Sequence, residues 1–366
     1  MAPPILIQSD VYRRAAYGAN HPLAIPRVET ATDLCAALGW LDGAVRQSPV
    51  ASEATLARFH TPAYVAALKE ADASRFVSTE VRKRHNIGTL ENPVFAGVFE
   101  RAATAVGGSI LAAHSALDGH VAYHPAGGTH HAQPDSASGF CYFNDPVFAI
   151  LTLLDRGLTR ILYADLDAHH GDGVEDAFAA DPRVFTLSLH EANRWPHSGA
   201  VESRRGGQAR NFPVPSRFND SELAFLLEEA IVPLAERFGP QAVVVTAGAD
   251  PLAGDPLSTM QLSNQALWTA VTRVADIAPT RVILGGGGYN PWTLARFWTG
   301  LWGALNGFDL TGPLPQSAQA ILSKLTCDLI DEDEVDPVWL THLCDSSSPG
   351  PIRPEIRRLR DLALAP

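Results

Sequence analysis

Short apolar runs, each closing on a turn and followed by a stretch of helical character, set the tightest limit on how this chain folds. Val121–His124, Arg160–Ala164, Arg183–His190, Ala242–Ala247 and Arg281–Leu284 read as strands, with Ile5–Ile7 as another near the start. A strand buried on both faces needs no polar alternation and reads as a continuous apolar run. Parallel neighbours need a crossover of about a dozen residues or more, usually a helix. The intervening stretches supply it. Helices are expected over Ala31–Val45, from Ser52, from Pro62 with Thr61 as N-cap, from Glu91 to Leu117, over Pro146–Leu154, from Val174, and over Asp220–Phe238, Ser263–Ile277 and Trp292–Leu305. Ser74–Gly88 and Glu191–Phe212 read as loops. No repeat or linker divides the chain, so the expectation is one doubly wound α/β domain over residues 1–366 with a parallel sheet.

In such sheets ligands bind beyond the carboxyl ends of the strands, and the chemistry-bearing residues cluster there. Tyr163-Ala-Asp-Leu-Asp-Ala-His-His-Gly-Asp-Gly-Val174 follows one strand. Along extended chain Asp165, Asp167 and His169 share parity, a cradle of two carboxylates and an imidazole that suits Zn²⁺, Fe²⁺, Mn²⁺ or Co²⁺. Asp250 ends a second strand at the same topological place, and Gly285–Gly288 followed by Tyr289 ends a third. That glycine run lacks both the Lys-Ser/Thr of a P-loop and GxGxxG spacing, which argues against nucleotide. His130 and His131 sit in a glycine-bearing loop, and Gly139–Asp145 is an aromatic-rich turn before a helix.

The charge of −12 excludes a general nucleic-acid binder. Cys35, Cys141, Cys327 and Cys344 form no CxxC, which fits a reduced, cytoplasmic setting. Met1-Ala-Pro-Pro begins no signal peptide, and no apolar run approaches a membrane span.

Taken in order, His130-His-Ala, Gly139-Phe-Cys-Tyr-Phe-Asn-Asp, Asp165-Leu-Asp-Ala-His-His-Gly-Asp-Gly, Gly248-Ala-Asp and Gly285-Gly-Gly-Gly-Tyr resemble the signature set of the histone deacetylase family, in particular its bacterial acetoin-utilisation-type and class I-like members. The resemblance runs from about His21 to Ala304 and leaves 307–366 as an extension of unassigned role. It implies an arginase-like three-layer α/β/α fold with a central, mostly parallel sheet. It implies a zinc-dependent hydrolase (Fe²⁺ or Co²⁺ being possible metals) acting on acyl-lysine in proteins or peptides, or on acylated amines, with no nucleic-acid or membrane partner and with homo-oligomers possible. Asp167, His169 and Asp250 match the zinc ligands. His130 and His131 match the tandem histidines, His131 as general base and then acid. Asp165 and Asp172 match their carboxylate partners, and Tyr289 the donor to the carbonyl oxygen. Phe140 and Trp195 match the aromatics walling an acyl-lysine tunnel, with Gly139 and Gly287 beside them, and Arg27 matches the arginine of an internal product channel. A structural K⁺ or Na⁺ would be held by Asp165, Asp167, His169, Ser188 and Leu189, and a second by Phe178, Asp181 and Val184. Two departures stand out. Trp195 replaces the usual Phe, and Glu91 replaces an Asp that grips the substrate backbone.

A ureohydrolase of the arginase kind would need carboxylates for a second metal, but Gly171 stands where one belongs and Asp250 is followed by Pro251 and Leu252. A non-catalytic acyl-lysine reader would be expected to have lost Tyr289, a ligand or the histidine pair, and all are present. Acetylpolyamine hydrolysis is the nearest alternative substrate class.

Overall fold

The computed structural model describes residues 2–14 and 17–365. Met1 and Pro366, the two ends of the expected domain, lie outside the described residues. The strands are β1 (Ile5–Gln8), β2 (Val45–Gln47), β3 (Val121–His124), β4 (Ile161–Asp165), β5 (Val184–Glu191), β6 (Ala209–Val214), β7 (Ala242–Thr246) and β8 (Thr280–Leu284). They form one sheet in the order β2-β1-β3-β8-β7-β4-β5-β6, and every pairing is parallel. The fold is the arginase-like α/β/α sandwich.

Alternate side chains of each strand divide between two apolar layers, as the period of two requires. Leu162, Val243, Val245 and Ile283 face a layer built with the helices Val28–Ala37, Asn264–Ala275 and Pro291–Asn306. Ile161, Tyr163, Val244 and Val282 face the helices Val98–Leu117 and Asp145–Asp155. Both faces are covered, which is why the strands read as unbroken apolar runs.

Several boundaries differ from the sequence expectation, each for a local reason. The first helix is Val28–Ala37, not Ala31–Val45. Gly39, at φ 72°, turns the chain out of it and Val45 opens β2. Ser74–Gly88 is not all loop: Ser78 caps the helix Thr79–His85 by accepting from Val81 N. The long Ala/Gly helix starts at Val98 rather than Glu91, because Pro93 and the left-handed Gly97 (φ 82°) precede it. Glu191–Phe212 is not a continuous loop either, since Ala209–Val214 pairs with β5 as an edge strand and carries Pro213 where an edge tolerates it. Asp220–Phe238 widens into a π turn at Leu227–Ile231, just before Pro233, which has no N–H to donate.

Beyond the sheet, the extension is stitched onto the helix Pro291–Asn306. Arg296 is fully buried, donates to the carbonyls of His342 (2.7 Å) and Leu343 (2.8 Å), and pairs with Asp345 at 2.6 Å. Arg353 forks onto the buried Glu222 at 2.6 and 2.7 Å. Among the described residues no helix is long and apolar enough to cross a membrane.

Candidate active site

β4 ends at Asp165, and there the strand periodicity ends too. Asp165, Asp167 and His169 therefore do not form one cradle, contrary to the parity argument. Asp165 is held inside by the Tyr163 hydroxyl (2.8 Å) and faces His130 Nδ1 at 2.7 Å. The residues that do converge are Asp167, His169 and Asp250, with one donor atom from each within 4.8 Å of the others, all buried. Backbone amides aim the two carboxylates: Gly287 N donates to Asp167 Oδ2 (2.6 Å) and Ala168 N to Asp250 Oδ1 (3.0 Å). Asp250 Oδ2 and Asp167 Oδ1 are thereby turned toward His169 Nδ1, at 2.9 and 3.3 Å.

The glycines around this group answer to space. A Cβ on Gly287 would lie 2.1 Å from Asp250 Oδ2, and one on Gly248 would lie 2.3 Å from Asp167 Oδ2. Burial, reinforced by Asp167, pushes the Asp250 carboxyl up to about 6 although His169 opposes it. Burial also works against His169, yet Asp167 and Asp250 outweigh it and lift the imidazole to about 10. Two carboxylates and an imidazole converging this closely form a group that could hold a metal ion.

Next to them, the His130 and His131 rings lie 3.9 Å apart. Each has its Nδ1 against a carboxylate, His130 on Asp165 and His131 on Asp172 (2.8 Å). Such a partner fixes the tautomer and turns Nε2 inward; His130 Nε2 lies 3.9 Å from Asp167 Oδ1. Their environments part the two rings. Burial lowers His130, but Asp165 and Asp167 more than compensate and raise it to about 9. Burial and the neighbouring His130 push His131 down to about 3 despite Asp172.

The loop bearing the pair hangs from Asp145, a residue to which the sequence reading assigned no role. Its carboxylate accepts from Gly128 N (3.0 Å), Thr129 N (2.7 Å), the Thr129 hydroxyl and Ser109 Oγ (2.5 Å). Asp145→Ala would strand buried backbone donors, a loss on the order of 3 kcal/mol. Chemical denaturation of the variant is the check, and an unchanged midpoint would contradict the anchoring role.

Tyr289 follows the glycine run, is buried, and stands perpendicular to His169 with ring centres 6.4 Å apart. Burial, with Asp250 and Asp167 adding, holds its phenol well above the usual range, so the hydroxyl stays a donor. Its backbone N–H is taken by Asp255 Oδ2 at 2.7 Å. Asp255 is the other functional residue that sequence reasoning passed over. It sat in the motif after Asp250, and only the fold brings it under Tyr289.

These groups form the floor of a cleft of about 630 Å³ lined by Phe140, Trp195, His131, His169, Tyr289 and Leu257, among others. Trp195 lies edge-on to His131 (4.6 Å) and directly against Gly139, where a Cβ would meet its ring at 2.4 Å. Of the aromatics in the Gly139–Asp145 turn, Tyr142 and Phe143 are packed beneath it and Phe140 faces the cleft. Glu91 also lines the cleft, but its carboxylate turns inward, accepting from Gly139 N (2.7 Å) and Asn86 Nδ2 (3.0 Å). The longer side chain thus braces the Phe140 loop. Glu191 is similarly committed to the Arg194 guanidinium (2.6 and 3.1 Å), Ser258 and Thr259.

Arg27 lies behind the floor. It donates to the Gly286 carbonyl at 2.5 Å, sits 4.9 Å from the Trp298 ring centre, and lines inner cavities of about 50 and 90 Å³. Ser188 is the register partner of Asp165, with Leu189 next to it, and Asp165 Oδ1 is buried without a partner among the described residues. Phe178, Asp181 and Val184 are not part of this assembly: Val184 begins β5, at the opposite end of the sheet.

A family model described as "Histone deacetylase domain" matches residues 21–305. Histone deacetylase 1 of Oryza sativa subsp. japonica is 37% identical over 308 residues, which are 82% of this chain and 59% of that protein, so the chain spans less than two thirds of its length. Acetoin utilization protein AcuC of Bacillus subtilis (strain 168) is 32% identical over 332 residues, 86% of this chain and 85% of that protein. The crystal structure of an HDAC homolog from Aquifex aeolicus superimposes over the whole of both chains with a TM-score of 0.94 at 36% identity.

Proposed function

The chain belongs to the histone deacetylase family, and from that premise we propose that it hydrolyses the amide of N-acyl-lysine side chains, releasing an acyl group and a free amine. One observation carries the reading. Asp167, His169 and Asp250 converge beside two carboxylate-backed histidines and a protonated tyrosine at the bottom of an aromatic cleft.

The donor set of two carboxylates and one imidazole fits Zn²⁺, with Fe²⁺ or Co²⁺ as substitutes, and leaves room for water and substrate. When bound, such an ion supplies Lewis-acid polarisation of a carbonyl and lowers the pKa of water to about 7. The chain's own residues do the rest. His131, held neutral, takes a proton from the attacking water at Nε2 and later delivers it to the leaving nitrogen. His130, backed by Asp165 at Nδ1, orients the water and adds electrostatic support. The Tyr289 hydroxyl donates to the developing oxyanion. Phe140 and Trp195 flank the lysine methylenes, an apolar stem that suits apolar walls. Arg27, which lines the inner cavity, would meet the released carboxylate there. Carboxylate and backbone carbonyl oxygens around Asp165, Asp167 and His169, with Ser188 and Leu189, would hold a structural K⁺ or Na⁺, and Phe178, Asp181 and Val184, mainly through backbone oxygens, a second, remote one. A cytoplasmic setting belongs to this reading and agrees with four free thiols.

Glu191 is already paired with Arg194 and accepts from Ser258 and Thr259, so it offers nothing to a second ammonium. Glu91, held only by the neutral donors Gly139 N and Asn86 Nδ2, keeps its charge at the cleft and leaves the polyamine alternative to the assay. A panel of acetyl-lysine peptides, longer acyl-lysine peptides and acetylpolyamines, with zinc-loaded protein, tests the assignment. Turnover confined to acetylpolyamines would replace the substrate class, and no turnover of any amide would reject the reading.

A hydroxamate with a linear apolar linker is expected to inhibit by chelation at the floor, its linker lying between Phe140 and Trp195. Trp195→Ala should weaken inhibition on the order of tenfold, as loss of a buried aromatic contact implies. Equal inhibition of wild type, Trp195→Ala and Phe140→Ala would remove those walls from the binding site.

A further inference from the structure

We infer that the segment after residue 307, beyond the span of the family match, is part of the catalytic apparatus: Trp339, in the turn Pro337–Leu340, positions Tyr289 by bracing the loop that holds its backbone. This rests on the proposed role of Tyr289 as donor to the oxyanion.

Tyr289 comes out of a run of four glycines, so its own chain does little to fix it. Gly288, immediately before it, lies at φ 129°, and Gly286 at φ 159°. Rigidity has to come from neighbours, and both backbone groups of Tyr289 are held from outside the run. Its N–H goes to Asp255 at 2.7 Å. Its carbonyl faces the Cys327 thiol of the extension at 3.8 Å.

Asp255 is itself set by what lies behind it. The outer edge of the Trp339 indole abuts Gly254, where an added Cβ would sit 2.8 Å from Cη2 and 3.0 Å from Cζ2. The Gly254 carbonyl accepts from Asn290 Nδ2 at 3.0 Å, which closes the loop back onto the residue after Tyr289. Trp339, itself half-buried, stacks on Trp292 with ring centres 6.4 Å apart and 24° between planes. Trp292 is in turn tied to the extension through Nε1 to the Leu322 carbonyl at 3.0 Å. The line from Trp339 thus runs through Gly254 and its chain neighbour Asp255 to the backbone N–H of Tyr289, the residue whose ring stands against His169.

Trp339→Phe makes the sharpest test. Phenylalanine keeps a ring against Trp292 but lacks the indole edge that meets Gly254. Misplacing a reacting group by about 1 Å costs up to about 10²-fold, so the expected result is a kcat lower on the order of tenfold with KM within about twofold of wild type. The decisive arm is the double variant. In a Tyr289→Phe background, Trp339→Phe should cost nothing further if it acts only through the tyrosine hydroxyl. The same cycle is read with the dissociation constant of a hydroxamate on zinc-loaded protein, which needs no turnover. Cys327→Ala, which leaves the indole in place, runs alongside should Trp339→Phe fail to fold. Equal losses in the two backgrounds, or a rise in KM at constant kcat, would overturn the positioning role. A Tyr289→Phe variant as active as wild type would instead strike at the proposed function itself.

Discussion

Alanine at Asp167, His169 or Asp250 is expected to abolish metal binding and hydrolysis together. Each residue supplies one of three donors that lie within 4.8 Å, and no fourth acidic group, histidine or thiol joins them among the described residues. Removing one leaves two ligands, fewer than the three protein ligands a catalytic zinc site needs. The fold should weaken as well, metal or no metal. Asp167→Ala strands the Gly287 and His169 N–H groups, Asp250→Ala strands that of Ala168, and His169→Ala leaves two buried carboxylates without their imidazole, so each variant should melt lower than wild type. Elemental analysis of the purified variants, beside their melting curves and turnover, checks all three statements. Full metal occupancy in any one variant would take that residue out of the ligand set.

The Tyr289→Phe change isolates a single oxygen. The ring still packs 5.9 Å from Phe140 and 6.4 Å from His169, and the backbone is still held by Asp255. What disappears is one donor aimed at developing negative charge, worth on the order of 10²–10³ in kcat. The loss should fall on kcat, with KM, metal content and melting temperature little changed. A variant within a few-fold of wild type on its best substrate would show that another group polarises the carbonyl. His130, backed by Asp165 at 2.7 Å and turned toward Asp167, is the candidate next in line.

What could be read from the chain divides along a physical line. Strands buried on both faces, N-caps such as Ser52 and Thr61, and metal-type residues at strand ends follow short-range rules, and most were legible. So was the pairing of His130 with Asp165 and of His131 with Asp172, which the family resemblance implied. Thr79–His85 was missed because a basic, largely exposed helix has no apolar stripe to betray it. The edge strand Ala209–Val214 was missed because it carries Arg210, Asn211 and Pro213, which an edge accepts and a central strand does not. Asp145 and Asp255 stood inside recognised motifs, yet their roles depend on which backbone amides the fold brings to them, and no spacing encodes that. Asp165 was misplaced among the metal donors because a period of two was carried past the end of β4.

The parallel order of the sheet has a kinetic meaning. β3 pairs with β8, Val121 against Arg281, and β7 lies between β8 and β4. The loops after those four strands carry the histidine pair, the glycine run, Asp250 and Asp167. Closing such distant segments is slow and its entropy must be spent before the contacts repay it. No fragment that ends before β8, and so no nascent chain still short of it, owns a complete site. The three metal donors nevertheless all precede β8, on the loops after the directly paired strands β4 and β7, so what waits for β8 is the glycine run and Tyr289.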